Sequence, residues 1–260
     1  MSIFSWLLRS RQRTPARPAL PGGLRVYAVG DVHGRFDLLT DLSEKIHADL
    51  AGDPPETSVE IYLGDYVDRG PDARSVLAWL RSPTAVCDKR ICLKGNHEDV
   101  FLQFIADPVV AEYWRDLGGF ETLYSYGVKP PMARTGQAKS ASHEQLMRVL
   151  PAEDVQFLRS LPLHASFGDY LFVHAGLRPG RTVAEQAEDD LIWIREPFLT
   201  SDHDFGQMVV HGHTPVDAPE IRRNRINIDT GAFLTGCLTC LVLEGTERRF
   251  IRSNAKLAEA

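Results

Sequence analysis

Five apolar runs in this chain end in residues whose side chains bind metal ions. Gly30-Asp31-Val32-His33-Gly34 follows the first, Gly64-Asp65-Tyr66-Val67-Asp68-Arg69-Gly70 the second, and Gly95-Asn96-His97-Glu98 the third. His174-Ala175-Gly176 and Gly212-His213-Thr214 follow the other two. A lone histidine in such a place is an ordinary core residue with satisfied hydrogen bonds. Five run ends carrying Asp, His or Asn are a different pattern, because sites in open α/β sheets form outside the carboxyl ends of strands. Side chains projected there converge, and the flanking glycines permit sharp backbone turns. The donors are carboxylates, imidazoles and one amide oxygen, with no thiolate, a mix suited to Mn, Fe or Zn. They are too many for one ion with an open position, whereas two ions bridged by a carboxylate would use them. Two ions about 3.5–4 Å apart are the usual clamp for phosphoester hydrolysis.

The elements that must position these residues read as alternating strands and helices. Arg25–Val29, Val59–Leu63 and Arg90–Lys94 read as strands ending at the first three motifs. Phe36, Leu38, Leu39, Leu42, Ile46 and Leu50 recur at three- and four-residue steps, one face of a helix stopped by Gly52 and Pro54-Pro55. Ser75–Leu80 reads as a second helix, and about Asp99 to Ala106 as a third. This alternation predicts an α/β layered fold. Residues 109–163 lack period-two runs and carry helical spacing, read as a helical cap with a mobile loop over Val128–Ser142; an ordinary surface excursion fits nearly as well. Strands resume at Tyr170–Val173, Met208–Val210, Ile226–Ile228, Cys237–Leu243 and Arg249–Arg252. No repeat of 20–50 residues is visible, which excludes a solenoid. The domain reading is a flexible basic leader over 1–24 and one domain over 25–260.

Composition sets outer limits. Apolar residues make up 43% of 260, enough for a sizeable core, and the net charge of −6 argues against non-specific nucleic-acid binding. No apolar run approaches the ~18–20 residues needed to span a bilayer. The cysteines, Cys87, Cys92, Cys237 and Cys240, are too sparse for a secreted disulfide scaffold. Cys237-Leu-Thr-Cys240 is formally a zinc-type spacing, but in a strand its two thiols would face opposite ways; inert buried thiols in a reducing, cytoplasmic setting fit better. At the start, Ile3–Leu8 is short and is followed, not preceded, by arginines, unlike a secretory signal. Ile3, Phe4, Trp6, Leu7 and Leu8 would allow a weak membrane-surface contact.

The five motifs resemble those of the calcineurin-like metallophosphoesterases. The Asp-x-His, Gly-Asp-x-x-Asp-Arg-Gly and Gly-Asn-His-Glu series is similar to the phosphoprotein phosphatase branch, and the resemblance runs from about Val26 to Gly245. Gly118-Gly119 before Thr122–Gly127, and Leu191-Ile192-Trp193-Ile194-Arg195-Glu196, resemble the bacterial serine/threonine phosphatases. Symmetrical dinucleoside tetraphosphate hydrolases share much of this framework. The resemblance implies a layered β-sandwich of two mixed sheets flanked by helices. It implies that Asp31 and His33 hold one metal, Asp65 bridges both, and Asn96, His174 and His213 complete the second. The wider superfamily often has a second histidine two places after His213, where this chain has Pro215. His211 matches no family ligand.

The implied cofactors are two divalent ions, Mn first, with Fe or Zn as alternatives. They lower the pKa of bound water from ~15.7 toward ~7, so that a metal-bridged hydroxide attacks phosphorus in line. Arg69, Arg195 and Asn96 would bind the phosphate oxygens. His97 would protonate the departing oxygen, and Asp68 would orient it. The plainer alternatives are structural salt bridges for Arg69 and Arg195, a turn cap for Asp68, and a core role for His97. His47, His164 and His203 lie outside every motif and read as structural, and Glu98 as a support of the turn or the start of the next helix.

The leading functional reading is a phosphomonoester hydrolase, a serine/threonine protein phosphatase. The alternative is a symmetrical dinucleoside tetraphosphate hydrolase or other small-phosphoester hydrolase. A third, non-catalytic phosphate-binding module is disfavoured because nucleophile ligands, acid and clamp are all present. The partners are a phosphorylated protein or a small phosphoester, not nucleic acid, and the oligomeric state is unknown.

Overall fold

The computed structural model describes residues 17–130 and 136–253. The strands are β1 (Leu24–Val29), β2 (Thr57–Tyr62), β3 (Lys89–Cys92), β4 (His164–Phe167), β5 (Tyr170–Val173), β6 (Met208–His211), β7 (Glu220–Ile221), β8 (Arg225–Asn227), β9 (Thr239–Glu244) and β10 (Glu247–Arg252). The helices are α1 (Phe36–Gly52), α2 (Ala73–Arg81), α3 (Asn96–Ala106), α4 (Ala111–Asp116), α5 (Gly119–Ser125), α6 (Gly136–Val149), α7 (Ala152–Ser160), α8 (Glu188–Trp193) and α9 (Ala232–Thr235).

Two mixed five-stranded sheets result, ordered β10-β9-β1-β2-β3 and β4-β5-β6-β8-β7. β1, β2 and β3 run parallel, as do β5, β6 and β8, with antiparallel strands at the flanks. The period of two assigns the layers. In β1, Val26 and Ala28 join Ile61, Phe172, Val210, Ile226 and Leu241 between the sheets, while Tyr27 and Val29 join the helices outside. In β5, Tyr170 and Phe172 point inward, and Leu171 and Val173 pack with Leu191, Ile192 and Phe198. This is the two-layer arrangement the resemblance implied, and it aims six parallel strand ends at one region.

Several local readings shift. α3 begins at Asn96, not Asp99, because Glu98 returns its carboxylate to the Gly95 N–H and starts the helix within the motif. β4 and β7 were not read from the sequence, being short flanking strands with little periodicity. Of the anticipated loop Val128–Ser142, residues 131–135 lie outside the described residues and 136–142 are helical, part of α6. Ala138, Lys139 and Ala141 are good helix formers there, which composition alone made look like loop. Residues 1–16 of the leader, the apolar run Ile3–Leu8 among them, lie outside the described residues. Residues 17–24 are anchored: Leu20 N–H donates to Gly245 O (2.9 Å) and Tyr170 Oη–H to Pro18 O (3.1 Å). β9 begins at Thr239, so Cys237 precedes the strand. Among the described residues no cysteine joins a cluster of potential metal ligands. Burial pushes the Cys87 thiol up to about 12, as expected of an inert thiol.

Candidate metal centre

Each expected ligand sits just past a strand end, and the backbone is bent to place it. Among the described residues, five non-glycine residues have positive φ: His33, Asp65, Asp68, Arg69 and His213. All five are residues the sequence singled out. Left-handed backbone is costly for a side chain, and it persists where the surroundings over-determine it, above all at functional sites. Two glycines show how close the chain comes. A Cβ on Gly95 would collide with Asp65 Oδ1, and one on Gly212 with Asp31 Oδ1.

Asp65 is the centre of the arrangement. Its Oδ1 lies 3.3 Å from His174 Nε2 and its Oδ2 lies 3.5 Å from His33 Nε2, so the two oxygens face different imidazoles. Side chains able to hold a metal form two buried groups that share it, His33–Asp65–His97 and Asp65–His174–His213, and in the first of these the His97 ring is turned to Asp68 through Nδ1 (2.7 Å). Asn96 Oδ1 lies between His174 Nε2 (3.0 Å) and His213 Nδ1 (2.9 Å). Asp31 closes the opposite side and accepts from the His213 N–H (3.0 Å to Oδ2).

The hydrogen bonds fix which nitrogens are lone pairs. His33 Nδ1–H donates to Val67 O (3.0 Å), and His174 Nδ1–H donates to Leu63 O (2.9 Å). Burial holds both imidazoles below the ordinary histidine range, so they are neutral and their Nε2 atoms carry lone pairs. Those lone pairs face the oxygens of Asp65 and Asn96 with no proton to share. His213 is pushed down to about 2 by burial and the neighbouring His174, and its Nε2 is buried without a hydrogen-bond partner. Converging acceptors of this kind need a cation. Donors on an ion at ~2.1 Å stand about 3.0–3.4 Å from one another, the spacing seen here. Backbone bonds to the distal ring nitrogens are the usual support of metal-binding histidines. The residues present therefore fit divalent ions.

The rest of the expected site is beside this cluster. His97 Nδ1 lies 2.7 Å from Asp68 Oδ2. Asp68 also accepts from Thr122 Oγ1–H (2.7 Å) and Trp114 Nε1–H (3.0 Å), so α4 and α5 hold the carboxylate that holds the histidine. Burial opposes a charge on His97, but Asp65 and Asp68 outweigh it and raise its pKa. Arg69 Nη2 lies 3.1 Å from His97 Nε2, and its guanidinium lies 4.8 Å from the Phe233 ring centre. Arg195 is exposed after α8, near enough for its charge to be felt at His174 and His213. A cavity of about 610 Å³, lined by Arg35, Arg69, Gly70 and Phe233 among others, opens alongside.

The remaining histidines lie apart. His211 is buried, with Nδ1–H donating to Gly212 O (3.1 Å). His47, His164 and His203 are exposed. Glu98 supports the Asp65 turn: its carboxylate accepts from the backbone N–H groups of Asp65 (2.8 Å), Tyr66 (2.7 Å) and Gly95 (3.0 Å).

Two features escaped the sequence reading. Phe233 touches His33 edge-on at 5.4 Å and had no motif around it. Asp229 did have a signal, since Ile226–Ile228 is followed by Asp229-Thr230-Gly231, the same run-then-Asp pattern as the other ends. It is 2% exposed.

Fold and site together define a metallophosphoesterase. The family profile of the calcineurin-like phosphoesterases matches residues 24–232, and the chain belongs to that family, whose members are hydrolases of phosphoric esters. It is 26% identical over 236 residues to the asymmetrical bis(5'-nucleosyl)-tetraphosphatase PrpE of Halalkalibacterium halodurans, covering 82% of this chain and 87% of that protein. To the symmetrical bis(5'-nucleosyl)-tetraphosphatase of Aromatoleum aromaticum it is 29% identical over 163 residues, covering 61% and 46%. Among solved structures, a candidate diadenosine tetraphosphatase shares the fold with a TM-score of 0.60 at 21% identity, over 89% of this chain and 94% of that one. Among the described residues no helix is long and apolar enough to cross a membrane.

Proposed function

We propose that this chain is a dinuclear metal-dependent hydrolase of dinucleoside tetraphosphates. The observation that carries the chemistry is Asp65, whose two oxygens face His174 and His33 separately. In this reading Asp31, His33 and Asp65 hold one ion, and Asp65, Asn96, His174 and His213 hold the other. Divalent ions there, Mn first by donor type, supply an activated water and polarise the phosphoryl oxygens.

The chain's own residues do the rest. Arg69 and Arg195 bind phosphate oxygens through planar paired donors, with the Asn96 amide beside them. His97 holds a proton at Nε2 for the departing oxygen, and Asp68 fixes the ring through Nδ1. The helical segment about 109–163, read as a cap, sets the position of Asp68 through Trp114 and Thr122. The substrate class is supported by the relative that spans more than four-fifths of both chains. The cavity beside Arg69 and Phe233 offers room for the rest of a nucleotide. A cytoplasmic setting fits four free cysteines.

One observation favours a second reading, the serine/threonine phosphatase that the sequence put first. The His97–Asp68 pair is the equipment a poor alkoxide leaving group needs, whereas a departing nucleotide phosphate needs it little. The test is kcat/KM with Mn²⁺ on diadenosine tetraphosphate beside a phosphoseryl peptide. The proposal expects the dinucleotide to be at least 100-fold the better substrate. The reverse order would replace it with the phosphatase reading.

A further inference from the structure

We propose that the end of the fold away from the metal centre carries a second anion site, one that takes the phosphate chain of a nucleotide or of inorganic polyphosphate. A cavity of about 630 Å³ opens there, and Arg17, Arg222, Arg223 and Arg248 line it. Its other walls fix its place. Asp169 precedes β5, Met208 opens β6 and Asn224 precedes β8. These three strands run parallel, and His174 and His213 follow the far ends of β5 and β6. The four residues of β6, at ~3.3 Å each, put ~13 Å of strand between the two places.

Three stretches of chain bring the guanidinium groups together. Arg17 stands ahead of β1, where Ala19 N–H donates to Asp169 Oδ2 (3.0 Å) and Tyr170 Oη–H to Pro18 O (3.1 Å), which fastens that segment beside the start of β5. Arg222 and Arg223 lie in the turn between β7 and β8. Arg248 lies on β10, where the period of two puts it on the face of Phe250, which packs between the sheets.

Their charges are unevenly answered. Arg222 is paired with Glu220, and Arg223 Nη2–H donates to Asp202 O (3.0 Å). Among the described residues Arg17, Arg223 and Arg248 form no ion pair, and Arg248 Nη1 is buried without a hydrogen-bond partner. A buried donor left unpaired is costly, and an acceptor in the cavity would satisfy it. Two carboxylates also line the cavity, each with a backbone partner: Asp169 Oδ2 accepts from Ala19 N–H, and Asp204 Oδ1 from Gly206 N–H (2.9 Å). With Glu220 counted, four guanidinium groups meet three carboxylates, so the cavity is cationic in a chain whose net charge is −6. Guanidinium groups match phosphate oxygens through planar paired donors. Pro18, Met208 and Ile221 add an apolar wall on which a nucleoside could lie.

Calorimetric titration of the Mn²⁺-loaded full chain with a methylene-bridged, non-hydrolysable analogue of adenosine triphosphate tests this. Methylene-bridged tripolyphosphate, which lacks the nucleoside, is the second probe, and both are added as their Mn²⁺ complexes. Wild type should bind two molecules of at least one probe per chain, one at the metal centre and one here. Arg248→Gln, and Arg223→Gln on the exposed turn, should each weaken one of the two about 10–100-fold, with turnover of nitrophenyl phosphate unchanged. Arg69→Gln should weaken the other. A preference for the adenosine analogue would identify the anion as a nucleotide, and equal binding of both probes as inorganic polyphosphate. Wild-type affinity at both places in Arg248→Gln and Arg223→Gln would overturn the proposal, as would a single bound molecule that only Arg69→Gln weakens.

Discussion

His97 and Asp68 form a buried pair, Nδ1 to Oδ2 at 2.7 Å, and the second Asp68 oxygen is held by Thr122 and Trp114. The pair makes His97 a better proton carrier than an isolated buried imidazole. His97→Asn should leave metal content intact and lower turnover according to the leaving group. On a phosphoseryl peptide the loss should be ~10²–10⁴-fold. On nitrophenyl phosphate or diadenosine tetraphosphate, whose leaving groups are stable anions, it should be small. An equal loss on all three substrates would make His97 an electrostatic stabiliser instead.

The same pair sets a pH dependence. Burial lowers the His97 pKa, and the charges of Asp65 and Asp68 more than reverse that, so the net shift is upward. A proton donor with a raised pKa stays competent to higher pH, and activity falls as pH rises through it. Asp68→Asn removes part of the support, so the alkaline limb of kcat/KM for the phosphoseryl peptide should move to lower pH. A limb that stays put, or moves up, would separate Asp68 from the titration of His97.

Glu98 is a positioning residue. Its fully buried carboxylate accepts from four backbone N–H groups, those of Asp65, Tyr66, Val67 and Gly95. Glu98→Ala strands those donors and should cost about 2–4 kcal/mol in denaturant unfolding. It should also weaken Mn²⁺ binding without any loss of a direct ligand. A variant as stable as wild type would contradict the assigned support.

Much of this site was legible because its chemistry sits in short local patterns. Asp31, His33, Asp65, Asn96, His174 and His213 each follow an apolar run, and the strand ends do bring them together. Asp229 follows the same rule but stands alone as Asp-x-Gly, a pattern too common to notice without its neighbours. Phe233 and Trp114 were not legible at all as site residues, since their contacts with His33, Arg69 and Asp68 cross more than 40 residues of chain. β4 and β7 escaped because short flanking strands lack a two-sided apolar pattern.

His211 adds an acid sensitivity of its own beside that of the metal-ligand histidines. Burial, with the charge of Arg225 adding, pushes it down to about 3, while the unfolded imidazole titrates near 6.5. The unfolded state therefore binds the extra proton first, and stability falls as pH drops below about 6.5, by up to about 1.4 kcal/mol per unit. His211→Gln should flatten that slope for metal-free protein between pH 6.5 and 4.5. An unchanged slope would assign it to other groups.

The shared position of Asp65 is tested most directly by counting bound Mn²⁺ per chain in wild type, Asp65→Asn and Asp31→Asn, with hydrolysis followed on the same samples. Two ions are expected on wild type, one on Asp31→Asn, and one or none on Asp65→Asn, with activity lost in step and restored to wild type after chelation by returning Mn²⁺. Two ions retained by Asp65→Asn, or full hydrolysis by wild-type protein that elemental analysis shows to be free of metal, would contradict a carboxylate shared between two ions.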